Sequence, residues 1–207
     1  MRNPALFAGL LATTAALAPA DAFAKGDKDD KKFKGPNTVT VDALKLTWPA
    51  FSGEYERKLS NKLGVAGFAG MGRYWPLVLR QSLTDAGVSK DALNFWDLGA
   101  RFNFYAAGRF ENGLNLGVTA RMRQLSATTG DGDTEATAKV RSIYLGPHLG
   151  YKLAFSPGVT LSFLGSAGYH KYGAITAEAG GSSANLGSFE NQPAFGVLGN
   201  VNVGWTF

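Results

Sequence analysis

Residues 195–207 read Phe-Gly-Val-Leu-Gly-Asn-Val-Asn-Val-Gly-Trp-Thr-Phe, and the parity of this stretch decides the fold. Phe195, Val197, Gly199, Val201, Val203, Trp205 and Phe207 share one side, while Gly196, Leu198, Asn200, Asn202, Gly204 and Thr206 share the other. A period of two belongs to a β-strand, because successive Cβ atoms point to opposite faces of a sheet. One face is apolar and aromatic; the other is polar or bare.

The same pattern recurs upstream. Ile143, Leu145, Pro147, Leu149, Tyr151 and Leu153 oppose Tyr144, Gly146, His148, Gly150 and Lys152. Val159, Leu161, Phe163, Ala167 and Tyr169 oppose Thr160, Ser162, Ser166 and Gly168, and Leu114, Leu116, Val118, Ala120 and Met122 oppose Asn115, Gly117, Thr119, Arg121 and Arg123. Trp96, Leu98, Ala100, Phe102 and Phe104 oppose Asp97, Gly99, Arg101, Asn103 and Tyr105. Three N-terminal segments are less regular. In 51–59 the residues Phe51, Tyr55 and Leu59 oppose Ser52, Glu54, Glu56 and Lys58. The stretch 63–74 puts Phe68 on the wrong parity for Leu63, Val65 and Met71, and 37–48 switches parity between Ala43 and Leu44, so a β-bulge is expected in each. The total is eight strands.

Connections alternate in length. Residues 60–62, 107–113 and 156–158 make short turns, whereas 75–94, 125–139 and 173–194 are long polar or glycine-rich links, with only Pro49-Ala50 tight among the second set. Short turns at one end and long loops at the other are the pattern of a barrel threaded through a membrane from one side.

Composition agrees. The 207 residues include 27 glycines and 12% aromatics, which favours strands and tight turns over apolar helices. No linker separates two comparable halves, so residues 37–207 read as one domain. The absence of cysteine excludes a disulfide framework and a thiolate metal site. A net charge of +5 suits anionic lipid phosphates, and no segment interleaves basic residues with stacking aromatics, so nucleic acid is not expected as a partner.

The N-terminus reads as an address. Met1 and Arg2 precede an apolar run from Ala5 to Leu17, and Ala22-Phe23-Ala24 fits a small-x-small cleavage site, so 1–24 is expected to be a secretory signal peptide. A spanning anchor is the rival, but the run is shorter than the roughly 20 apolar residues a bilayer core requires. Its removal takes one base and one acid and leaves the charge at +5. Residues 25–36, rich in Lys and Asp, are too polar to fold alone and are expected to form a disordered, solvated tail. No other stretch suits a membrane helix, so membrane residence requires strands.

Alternation does not say which face is inside, since a soluble carrier of an apolar ligand keeps its apolar face within. Three features favour the opposite arrangement. The polar parity holds Glu54, Glu56, Asp97, Arg101, Arg121 and Arg123, which can pair across a narrow lumen. Aromatics gather near segment ends (Trp48, Phe51, Trp75, Trp96, Phe104, Tyr151, Phe155, Tyr169, Trp205, Phe207), where interfacial girdles belong. The chain also stops on an aromatic.

That ending, Val203-Gly204-Trp205-Thr206-Phe207, resembles the outer-membrane insertion signal, with Val203, Trp205 and Phe207 as its outward residues. The resemblance implies recognition by the barrel-assembly machinery. Residues 37–207 as a whole resemble small eight-stranded barrels of the kind formed by outer-membrane protein X and the transmembrane domain of outer-membrane protein A. Gly53-Glu54-Tyr55-Glu56-Arg57 is similar to the second strand of many bacterial barrels of this size. The resemblance implies an up-and-down antiparallel transmembrane β-barrel in the outer membrane of a Gram-negative cell, with membrane lipids and lipopolysaccharide as surroundings.

Candidate chemistry is sparse. His148 and His170 are the candidate general bases for a lipid-A-modifying barrel enzyme, but both fall on the polar parity, and no Ser, His and acid converge on the apolar face. Structural roles in the lumen are expected for both. Asp131, Asp133 and Glu135 resemble the start of a calcium loop, yet Ala136 and Ser142 stand where its glycine and bidentate glutamate belong, so an exposed acidic loop is expected. Gly67, Gly70 and Gly72 sit inside a strand and in the wrong order for a dinucleotide site. No cofactor, metal or catalytic residue is therefore assigned. The expected function is a non-enzymatic outer-membrane barrel whose lumen charges form a plug, or else a transient gate, and whose long loops contact the surroundings. The alternatives are the lipid-modifying enzyme and a periplasmic carrier of an apolar ligand.

Overall fold

The computed structural model describes residues 35–47, 49–73, 93–129, 136–155, 157–179, 182–188 and 194–207. The described residues are all-β apart from one helical turn. Its strands are β1 (Asn37–Asp42), β2 (Ala50–Ser60), β3 (Leu63–Arg73), β4 (Leu93–Gly108), β5 (Gly113–Thr129), β6 (Ala136–Ala154), β7 (Val159–Ala179), β8 (Ser182–Ser188) and β9 (Ala194–Thr206); the turn α1 (Ala43–Leu46) follows β1. Each strand from β1 to β7 pairs antiparallel with the next, β9 pairs with β7, and β9 also pairs with β1. Eight strands thus close an up-and-down ring with no open edge through most of its wall.

Closure is fixed at the chain's end. Trp205 lies opposite Val159 on one side and Val39 on the other. The Asn37 amide donates to the Phe207 carbonyl at 3.0 Å, and the Phe207 amide returns a bond at 2.8 Å. The turns after β2, β4 and β6 and the last residue all lie at this end. Gly108 there takes φ of +81°, a left-handed conformation that costs glycine nothing, and lets the chain turn toward β5.

Burial follows parity. Among the described residues, the buried side chains comprise nineteen polar or charged residues and only six apolar or aromatic ones, inverting the usual rule for a core. The exposed residues include Phe51, Val65, Leu98, Phe102, Val118, Leu145, Leu149, Phe163, Val197 and Val203, drawn from every strand of the ring but one, and β1 supplies Val39. On β6 the outward run from Ile143 to Leu153 carries no charge. Ten residue steps at about 3.4 Å, inclined by about 40°, give a band roughly 25 Å tall.

Four expectations need correction. The stretch 37–48 holds no bulge: Asp42 ends the strand and caps α1 by accepting from the Leu44 amide at 3.1 Å, so the parity change marks a helical turn. The strand β3 also runs without a register shift against β4, because Phe68 simply points inward. The links 125–139 and 173–194 are not plain loops. Strands β5 and β6 extend to Thr129 and from Ala136, and β7 reaches Ala179, where it pairs with the extra strand β8. Backbone ladders continue beyond the apolar band because β5, β6 and β7 already lie side by side. Residues 1–34, Trp48, Trp75, Asp131, Asp133 and Glu135 lie outside the described residues.

Candidate functional site

The inward parity of eight strands converges on the lumen, and its side chains form three tiers. At the closed end, Thr206 Oγ1 lies 2.9 Å from Thr38 Oγ1 and 2.6 Å from Thr160 Oγ1. Lys152 donates to Thr38 Oγ1 and Glu56 Oε2, each at 2.8 Å. Glu56 also accepts from Asn103 Nδ2 at 2.6 Å and from the Tyr105 hydroxyl at 2.8 Å. Phe110, carried by the β4–β5 turn and fully buried, rises beneath this node, with the Lys152 ammonium 3.7 Å from its ring centre. That is a desolvated cation–π contact.

In the middle tier Arg101 bridges to Glu54 at 2.5 Å. Phe68 lies against two guanidinium groups, 4.7 Å from Arg101 and 5.3 Å from Arg121 at their central carbons. The strand opposite makes room for it. A Cβ at Gly99 would meet Phe68 Cζ at 2.2 Å and the Ala120 carbonyl oxygen at 2.5 Å. Thr119 Oγ1 shares a hydrogen bond of 2.9 Å with His148 Nδ1.

The upper tier centres on Asp97. Its Oδ2 accepts from Arg123 at 2.8 Å and lies 3.7 Å from Lys45 and 3.9 Å from Arg121. Asp42, beside Lys45 at 3.9 Å, accepts from Asn200 on β9. The turn α1 is thereby tied across the lumen to β4 through Asp97 and to the neighbouring β9 through Asp42, while Leu44 and Leu46 face outward. Glu54, Glu56, Asp97, Arg101, Arg121 and Arg123 thus all lie in the lumen: Arg101 meets Glu54, Arg121 and Arg123 on β5 meet Asp97 on the neighbouring β4, and Glu56 is met across the lumen by Lys152. The open space beside Glu54, Glu56, Asn115 and Lys152 is about 20 Å³, room for about one water.

Val203, Trp205 and Phe207 all point outward at the closed end. His148 is buried among lumen residues, and His170 lies between the rings of Tyr144 and Tyr172 at 4.8 and 5.8 Å. Among the described residues neither histidine hydrogen-bonds a carboxylate, and no group of His, Asp and Glu is arranged to hold a metal. A soluble carrier requires an apolar interior, and this interior is polar.

A solved structure of a major outer membrane protein from Thermus thermophilus is similar to this chain, with a TM-score of 0.51 over 83% of this chain and 99% of that one. The fold is that of an outer-membrane β-barrel. At 14% identity the likeness reaches no further than architecture. No protein-family model and no curated protein matches the sequence.

Parity alone did not single out Lys152, Tyr105 or Lys45. Lys152 and Tyr105 stand on the polar parity of their segments, so the signal was present, but their partners depend on strand register. Lys45 sits on α1, outside any alternating pattern, and no periodic signal points to it.

Proposed function

We propose that the protein is an integral barrel of a bacterial outer membrane, non-enzymatic, with a lumen closed by its ion pairs. Its task lies in envelope structure and in the contacts of its tall strands beyond the membrane. The observation that carries this reading is the uncharged apolar band around the outside of a ring whose ionised groups at that height face inward. In water that band would be an aggregation surface far larger than the few hundred Å² a soluble monomer exposes. In hydrocarbon, closure of the ring satisfies the backbone polar groups, and the lumen pairs keep the charges from lipid.

The three tiers support a plug over an open pore, because among the described residues their ionised side chains have partners of opposite sign and the space beside Glu54, Glu56, Asn115 and Lys152 holds about one water. The terminal strand supports delivery by the barrel-assembly machinery. No lipid-directed enzyme is proposed, because both histidines face the lumen and neither has an acid partner among the described residues.

Two measurements test the proposal. Membrane fractionation with boiled and unboiled gel migration should place a heat-modifiable band in the outer-membrane fraction; a periplasmic, heat-insensitive protein overturns the reading. Planar-bilayer recording should show no steady conductance, and a large sustained current overturns the plug.

A further inference from the structure

The outer edge of the apolar band carries a pair of outward cations that form no ion pair among the described residues. On β6 the outward run ends at Ile143, and on β7 at Tyr169; these are 58% and 56% exposed. The next outward residue on each strand is basic, Arg141 and Lys171, and both are exposed. Ile143 lies opposite Lys171 in the ladder, and Arg141, two residues from Ile143 at the β-bulge between Val140 and Ser142, stands beside Lys171 on the neighbouring strand. The Arg141 Nε is held by Gln124 Oε1 of β5 at 3.0 Å, which leaves the outer edge of the guanidinium fork to project from the wall. Among the described residues neither Arg141 nor Lys171 forms an ion pair, whereas the nearby Lys139 is taken by Glu178 at 2.6 Å.

Two long cationic side chains, side by side above the same end of an apolar strand pair, match a ligand with a phosphate over acyl chains. The guanidinium fork suits a phosphate bidentately, and the ammonium adds a point charge. Ile143, Leu145 and Tyr169 offer the apolar surface directly beneath. We propose that Arg141 and Lys171 form a binding site for a phosphorylated glycolipid of the outer leaflet, the phosphate bridging the two cations and the acyl chains lying on the β6–β7 wall. This inference rests on the membrane reading above and adds the ligand and its residues.

The test uses full-length protein extracted from membranes in nonionic detergent, with retained lipid measured by native mass spectrometry. Diphosphorylated lipid A should be retained at least about tenfold more strongly than its dephosphorylated form, and R141Q/K171Q should lose about tenfold or more of that retention. The charge-conserving R141K/K171R should keep most of it. So should Arg57→Gln, an outward cation at the opposite rim. Equal retention of the two lipids, unchanged retention by R141Q/K171Q, an equal loss in Arg57→Gln, or displacement by millimolar inorganic phosphate each overturns the proposal. The comparison of the two lipids on the unaltered protein decides the matter even if a variant does not assemble. A heat-modifiable protein that shows no lipid preference defeats this inference alone, while a protein absent from the membrane defeats the reading beneath it.

Discussion

Changing Glu56 to Gln removes one charge from the lowest tier and leaves the Lys152 ammonium facing a neutral amide. Both residues are almost fully buried, at 4% and 2% exposure, and their charged atoms are 2.8 Å apart. At that separation the attraction is about 6 kcal/mol for an effective dielectric of about 20, set against a desolvation cost of several kcal/mol per ion. The intact pair therefore contributes little net stability, but a single deletion strands the other charge. Glu56→Gln should cost about 3–5 kcal/mol, and Lys152→Met a similar amount. The double variant should cost much less than the two added together, with a coupling of at least about 2 kcal/mol, because the introduced amide oxygen still accepts from Asn103 and Tyr105 while no ion remains. Equilibrium unfolding in urea from lipid vesicles, followed by tryptophan emission and by loss of the heat-modifiable band, measures all three. Single costs below about 1 kcal/mol, or strictly additive ones, refute the reasoning.

Three other variants probe separate parts of the account. Gly99→Ala puts a methyl against the Ala120 carbonyl as well as Phe68, so backbone must move, and the same unfolding assay should register a loss of about 1–3 kcal/mol; no loss means the strand approach is looser than described. Leu149→Arg sets a charge near the middle of the outward band and should cost about 2–4 kcal/mol in vesicles, whereas a cost under about 1 kcal/mol argues against lipid contact there. Phe207→Ala keeps the backbone bonds to Asn37 but removes the terminal aromatic. Cellular assembly, measured as folded protein in the membrane fraction, should fall several-fold while refolding of purified chain into vesicles is little changed; equal yields in cells contradict recognition through the last residue.

The faces of the barrel were legible in the sequence because hydrocarbon and lumen impose opposite demands on neighbouring positions. Wherever that contrast exists, as at 195–207 or 143–153, parity reports it directly. Beyond the band it vanishes. Residues 173–194 are rich in Gly, Ser and Ala, the composition of turns, and nothing outside the apolar band requires alternation, so β8 left no periodic trace. Phe68 misled for a different reason: an aromatic on the polar parity looks like a slipped register until two guanidiniums are seen against its ring. Which inward charges exist could be read from the residues, but partner choice could not. Glu56 meets Lys152, 96 positions away, only because ring closure brings β2 and β6 across one narrow lumen.

The cysteine-free sequence allows the orientation of the two faces to be measured directly. Single cysteines at Leu149 and Val118, which face outward, and at Thr119 and Ser166, which face the lumen, can carry an environment-sensitive fluorophore in vesicles containing lipids brominated along their acyl chains. The account predicts blue-shifted emission, strongly quenched by bromine, at 149 and 118, and resistance to labelling or no quenching at 119 and 166. Quenching at the lumen positions with none at 149 and 118 would contradict it.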